Sequence, residues 1–217
     1  PKPKPLELLL NYAKPMPQYN LNNNQSPEIN YSQGLLPQRN QTNFWYSDTS
    51  CRSNLKQFKL SSENRRILNK TAGFSYQKIP LKNFKLTSDI TKQIFSWIKQ
   101  LGWDFPTSSV KTVFNKHIFN YLYIWKDEQN NVIAYSICYF SKDISHIAYV
   151  FYHPDYSHGN LPIRLVLQTI IDSYDLKLDY CYLGRFSPQN GYYKRNMPGF
   201  EYFHHHQWTK YDKSISI

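Results

Sequence analysis

Residues 149–208 constrain the fold of this 217-residue chain more than any other stretch. An apolar run ends in Phe151-Tyr152-His153-Pro154-Asp155, and a turn at Ser157-His158-Gly159-Asn160 leads into residues 161–174. There Ile163, Val166, Leu167, Ile170, Ile171 and Tyr174 recur at spacings that put them on one stripe of an amphipathic helix. Tyr180-Cys181-Tyr182-Leu183-Gly184 reads as a strand, and a basic aromatic loop at Tyr192-Tyr193-Lys194 follows it. The order is strand, helix, strand.

Upstream, Ile90, Ile94, Phe95, Trp97, Ile98 and Leu101 keep helical spacing over 87–101, with a start at Ser88-Asp89 and a stop at Gly102. After Pro106, segments 121–125, 132–140 and 145–152 read as strands separated by turns at 127–131 and 141–143, an antiparallel meander. A meander followed by strand, helix, strand is the layout of the acetyltransferase-like (GNAT) fold. That fold is α+β, with a mixed, mainly antiparallel sheet and flanking helices, and two neighbouring strands splay apart to leave a cleft for an acyl donor. Residues 87–217 are expected to form this domain. Amides at the start of the helix at Leu161 would point to the cleft and could take a phosphate or a carbonyl oxygen.

Residues 1–43 are dominated by Pro, Asn, Gln and Ser, so they are expected to be an extended segment draped over the body. Residues 44–86 are expected to form a small N-terminal α/β lobe. It would hold Phe44-Trp45-Tyr46, a half-buried strand over 55–60 where apolar and polar residues alternate, and a short helix after Ser61-Ser62-Glu63 that carries Arg65 and Arg66.

Lys and Arg number 26 against 15 acidic residues, a formal charge of +11, and aromatics make up 17%. Cations release phosphate counterions and aromatic faces stack on unpaired bases, so nucleic acid is a candidate partner, although Asn, Lys, Tyr and Ile are also what an AT-rich genome encodes. Cys51, Cys138 and Cys181 are odd in number and widely spaced, which excludes a disulfide framework and fits a reducing cytoplasm. The longest apolar candidate, 161–171, is interrupted by Pro162, Arg164 and Gln168, and Leu8-Leu9-Leu10 is too short for a secretion signal, so a soluble protein with no membrane partner is expected. His204-His205-His206 would alternate across a strand, and no metal site is expected. Cys181, inside a strand, reads as a small buried hydrophobe, and Asp104, Trp97 and Trp103 as cap and core.

The chain resembles the arginyl- and leucyl-tRNA–protein transferases, which move an amino acid from aminoacyl-tRNA onto the N-terminus of a protein marked for degradation. The likeness covers most of the chain. It is carried by Gln33-Gly34, Gln38-Arg39, Trp45-Tyr46, Phe58, Ser61, Arg65 and Arg66 in the N-terminal half. In the C-terminal half it rests on Val132-Ile133-Ala134, Phe151-Tyr152 with Pro154-Asp155, Tyr182-Leu183-Gly184, Tyr193-Lys194, Glu201 and Trp208.

The resemblance implies aminoacyl-tRNA as co-substrate without a further cofactor, the α-amine of a protein or peptide as acceptor, and a cytoplasmic monomer. His153 and Asp155 are the candidate catalytic pair that would orient or deprotonate the amine, since both stand where the splayed sheet opens. Tyr152, Ser157, Asn160, Tyr182, Gly184, Tyr193 and Lys194 are candidates for binding the substrate, and Arg39, Arg65, Arg66, Arg185 and Arg195 for binding tRNA.

Four departures from the family pattern stand out. Only Cys51 remains of its N-terminal cysteine cluster, so no metal or iron–sulfur cluster is expected; His153 stands where the family has Asp; Ser157-His158-Gly159-Asn160 replaces its Ser-Leu-Gly helix start; and Pro188, Asn190 and Gly191 replace its Cys-x-Lys-Met. Plainer readings stay open: His153-Pro154-Asp155 as a strand-ending turn, Tyr193-Lys194 as a solvated loop, Arg65-Arg66 as a basic helix face. Two other functions also stay open, an N-acyltransferase with another acyl donor and a non-catalytic tRNA- or RNA-binding adaptor. A coenzyme A donor would ask for a Gly-rich loop, and only Gly159 precedes Leu161.

Overall fold

The structure, a computed structural model, describes residues 24–115, 117–187 and 191–211, together with the backbone of 20–22. Its elements are β1 (Asn20–Asn22), α1 (Pro27–Ser32), β2 (Leu35–Pro37), β3 (Phe44–Ser47), β4 (Ser50–Asn54), α2 (Ser62–Lys70), β5 (Ser75–Pro80), α3 (Ser88–Gln100), α4 (Thr107–Asn115), β6 (Tyr121–Lys126), β7 (Val132–Phe140), β8 (Ile144–Tyr152), α5 (Leu161–Asp175), β9 (Tyr180–Arg185), β10 (Phe200–His204) and β11 (Gln207–Lys210). Eight strands form one sheet in the order β11-β10-β4-β9-β8-β7-β6-β5. Every pairing is antiparallel except β8 with β9, which α5 joins in parallel by crossing one face. Meander, bulged strand, crossover helix and a parallel neighbour make this the acetyltransferase-like fold. Among the described residues no helix is long and apolar enough to cross a membrane.

Both faces of the sheet are covered. On one, Leu165, Val166 and Ile170 of α5 are buried against Tyr123, Trp125, Ile147, Cys181 and Leu183, each large apolar side chain contributing about 1.5–3 kcal/mol on burial. On the other, Ile94, Trp97 and Ile98 of α3 and Val110, Val113 and Phe114 of α4 cover Leu122, Tyr135, Ile137 and Phe151. The described part of 1–43 lies on that second face, where Tyr31, Leu35 and Leu36 pack with Trp45 against Ile144 and Tyr182. It holds α1, opened by Pro27 and capped by the Ser26 hydroxyl, and the outer strands of a small sheet ordered β1-β3-β2. Residues 44–86 supply β3 to that small sheet, β4 and β5 to the large one, and α2, whose Ser61 and Asn64 form a reciprocal cap.

Two local expectations are corrected, and one helix is added. Residues 55–60 are not a strand: Leu55–Gln57 is a single tight turn, started by the Asn54 side chain accepting from the Lys56 amide at 3.2 Å. The strand is Ser-Cys-Arg-Ser-Asn at 50–54, which shows no alternation because it lies between β9 and β10 with four of its five residues buried. Residues 107–115, passed over after Pro106, form α4, whose apolar Val110, Val113 and Phe114 find their partners only in the fold. Of the three histidines only His204 is in a strand; His205 and His206, at φ 48° and 62°, make the two-residue hairpin turn between β10 and β11.

Candidate functional site

β8 and β9 pair at only three positions, Ile144 with Tyr180, Ser145 with Cys181 and His146 with Tyr182. On its other edge β9 pairs with β4 throughout, Tyr180 opposite Asn54 and Arg185 opposite Ser50, with a bulge between the Tyr182 and Gly184 pairs. On β8, Tyr149 lies opposite Ile137 but Ile147 opposite Cys138, so Ala148 is an extra residue. That bulge inverts the alternation. Ser145 and Ile147 face α5, whereas Tyr149 and Phe151 face α3 and α4 together with the His146 side of the strand. The two strands therefore part after His146 and Tyr182, and a wedge opens.

A crevice of about 450 Å³ lies at this parting, with Tyr149 of β8 and Arg185 of β9 in its lining beside Arg39, Tyr46 and Asp48. The Arg39 guanidinium donates to the Asp104 carbonyl at 3.0 Å and sits 5.1 Å over the Phe105 ring. Arg185 Nε lies 3.1 Å from Asp48. Burial pushes the Tyr46 phenol up to about 12 and raises Tyr149 too, so both hydroxyls keep their protons. The rim is cationic and its walls are phenolic.

At the apex stands His146, 3% exposed. Its Nδ1 is 2.7 Å from the Tyr31 hydroxyl, and its Nε2 has no hydrogen-bond partner among the described residues. Burial, with the Lys194 and His117 charges behind it, pushes the imidazole down to about 3, so the ring is neutral near pH 7. Lys194 donates through Nζ to the Leu183 and Arg185 carbonyls at 2.6 and 2.8 Å, two acceptors on β9 beyond its last pair with β8. Burial lowers the Lys194 pKa. Gly184, at φ 78°, places no side chain at the apex: a Cβ there would stand 3.8 Å from His146 Nε2 and 3.9 Å from Lys194 Nζ. Cys51 donates to the Gly184 carbonyl at 3.3 Å, and burial pushes its thiol up to about 11, which leaves it no nucleophile at neutral pH.

Of the residues anticipated from sequence, Arg39 and Arg185 meet in the crevice, and Tyr182, Gly184 and Lys194 meet around the apex. His153 and Asp155 end β8 at the wide end of the wedge. His153 Nδ1 accepts from the Asp155 amide at 3.3 Å, capping the turn Pro154–Tyr156, and lies 3.7 Å from the Asp155 carboxylate, with the two side chains 41% and 84% exposed. Ser157 closes that turn, Asn160 starts α5 without a side-chain cap bond, and Tyr152 meets Trp103 edge-on at 5.2 Å. Tyr193 packs on the α5-side core.

The remaining arginines stand elsewhere. Arg65 donates to the Leu60 carbonyl at 2.7 Å and Arg66 to Glu63 at 2.6 Å, both exposed on α2. Arg195 stacks 3.6 Å over Tyr192. Pro188 and Asn190 lie outside the described residues. Glu201 and Trp208 hold Arg52, whose Nε is 2.8 Å from Glu201 and whose guanidinium lies 3.7 Å over Tyr180 and 4.0 Å over Trp208. Sequence reasoning missed His146, Tyr31, Tyr46, Asp48 and Tyr149. The one available signal was the polar pair Ser145-His146 inside an otherwise apolar strand.

No family model matches this chain, and no curated protein matches it. Solved structures similar to it include the C-terminal domain of a protein described as a lysylphosphatidylglycerol synthetase from Agrobacterium fabrum, at 12% identity over 64% of this chain and 46% of that one, TM-score 0.46. The L-PGS of Bacillus licheniformis matches at 11% identity over 66% of this chain and 47% of that one, TM-score 0.46. An aminoglycoside acetyltransferase from an uncultured soil metagenomic sample matches at 10% identity over 58% of this chain and 89% of that one, TM-score 0.40. The chain spans about half the length of the first two.

Proposed function

We propose that this protein transfers an amino acid from a charged tRNA to an amine, the acceptor being the N-terminus of a protein or peptide. The observation that carries the reading is the parting of β8 and β9 after three residue pairs, beside a crevice rimmed by Arg39 and Arg185. An aminoacyl ester is already activated and its amide product is more stable, so the reaction asks mainly for position and for stabilisation of charge on the carbonyl oxygen. The amine nitrogen attacks the ester carbon, the tetrahedral intermediate collapses, and the 3′-oxygen of the tRNA leaves with the proton that the amine gives up. Arg39 and Arg185 meet the phosphates of the tRNA end. His153 and Asp155, at the wide end of the wedge, receive the amine. Ordered residue matches to the arginyl- and leucyl-tRNA–protein transferases and the charge of +11 support the same reading.

The test is to incubate the protein with tRNAs charged with labelled amino acids and with peptides of varied first residue. Label is expected in peptide, with tRNA binding that weakens steeply with salt and no binding of coenzyme A. Acetyl transfer from coenzyme A, or tRNA binding without transfer under any pairing, would refute it.

A further inference from the structure

Several buried polar side-chain atoms among the described residues lack a hydrogen-bond partner: Ser50 Oγ, Trp125 Nε1, Ser136 Oγ, His146 Nε2, Arg164 Nε and Nη1, and Arg195 Nε. His146 Nε2 differs from the others in what lies beside it. It stands at the last residue of β8 that pairs with β9, and it faces the space that Gly184 leaves without a side chain. The Lys194 ammonium borders that space from the other side and spends two donor hydrogens on Leu183 and Arg185. A third hydrogen remains. A buried ring nitrogen with no partner is costly, so its place at a parting of strands calls for a ligand atom.

The contact between Tyr31 and His146 bears on what kind of atom. Burial raises the Tyr31 pKa well above the ordinary phenol value, so the hydroxyl keeps its proton. Among the described residues, the acceptor within reach of that proton is His146 Nδ1. An imidazole that accepts at Nδ1 and is neutral carries its own proton on Nε2. Nε2–H and the ammonium are then two donors that both come within 4 Å of the place a Gly184 Cβ would fill.

We propose that His146 Nε2 and Lys194 Nζ together hold one acyl oxygen at the apex of the wedge, with Tyr31 as the positioning residue that fixes the imidazole tautomer. The inference rests on the acyl-transfer reading above and gives that reaction its oxygen site. When the amine nitrogen bonds to the ester carbon, the π electrons of the carbonyl move onto its oxygen. The two donors meet that charge, and it returns as the bond to the 3′-oxygen breaks. Both are fixed before substrate arrives, one by Tyr31 and the other by two backbone carbonyls, which is the condition under which such donors accelerate a reaction.

The experiment uses the full chain labelled with 15N-histidine and sodium formate, the smallest carboxylate, as probe. The His146 resonance is assigned by its disappearance in His146→Gln. Formate is expected to shift it saturably in the unsubstituted protein, at least tenfold more weakly in Lys194→Met, and Tyr31→Phe is expected to move its 15N shifts toward a mixture of tautomers before any formate is added. No saturable shift, or equal affinity in Lys194→Met, overturns the site, and the titration of the unsubstituted protein decides this even where a variant fails to fold. In the transfer assay His146→Gln is expected to lower kcat about 10²–10³-fold with little change in KM. Formate binding without transfer from any charged tRNA would leave the oxygen site standing and refute the functional reading; transfer with kcat unchanged in His146→Gln would refute the oxygen site alone.

Discussion

Truncating Glu201 to Ala would strip the counter-charge from Arg52, and the structure sets the size of the effect. The two side chains are each 9% exposed and meet at 2.8 Å. The second carboxylate oxygen accepts from Asn54 Nδ2 at 2.9 Å, and the Arg52 guanidinium is enclosed by the Tyr180 and Trp208 rings. Glu201→Ala leaves a guanidinium walled in by aromatic rings and an amide without its acceptor. Removing one partner of such a pair costs about 3–5 kcal/mol. For a chain of this size that lowers Tm by about 6–20 °C. The pair ties β10 to β4, and β4 in turn pairs along the whole of β9, the strand that forms one side of the wedge. Thermal unfolding followed by circular dichroism, with urea midpoints alongside, measures it. The double variant Arg52→Met, Glu201→Leu should recover most of the loss, since it removes both charges and fills the space. A loss below about 1 kcal/mol in Glu201→Ala, or a double variant no better than the single, would show that water already screens the pair and would refute the reasoning.

Three further outcomes are expected. His146 is held near 3 in the folded chain against 6.5 for an ordinary histidine, so below pH 6.5 the unfolded chain takes up a proton that the folded one refuses, and stability falls. From this group the slope is at most about 1.4 kcal/mol per pH unit; urea midpoints at pH 7.5, 6.5 and 5.5 should fall in the unsubstituted protein and fall less in His146→Gln, with His117, shifted the same way, contributing equally to both. Arg39→Ala and Arg185→Ala should each reduce the slope of log affinity for charged tRNA against log salt by about 0.7–0.9, read by fluorescence anisotropy, and an unchanged slope means that the residue touches no phosphate. Gly199→Ala, at φ 63° with its Cβ 2.2 Å from the Asn54 carbonyl oxygen, should lose about 1–3 kcal/mol by urea denaturation, since backbone on both sides has no room to give.

Helices α3 and α5 and the meander β6 to β8 were legible because their signals are local. An amphipathic stripe or an alternation records one apolar face, and each of these elements has one. β4 carries no such record, lying between two strands with nearly every residue buried. In α4 the β-branched and hydroxyl residues of Thr-Ser-Ser-Val-Lys-Thr-Val mask a helix that packing against the sheet stabilises. The site divides in the same way. Gly184 and Lys194 were visible beside a recognisable strand end, but the hydrogen bond of His146 to Tyr31 spans 115 residues, and no spacing rule reaches that far.

Residue order by itself determined that a meander would be followed by a strand, a helix and a strand, because periodicity and turn chemistry are properties of neighbouring residues. Where β8 and β9 separate, and which nitrogens face each other at that point, was decided only in three dimensions. The parallel pairing ends at His146 and Tyr182, and two residues later Ala148 bulges out and turns the later half of β8 over. Where pairing between distant strands stops is settled only when all of the strands are assembled.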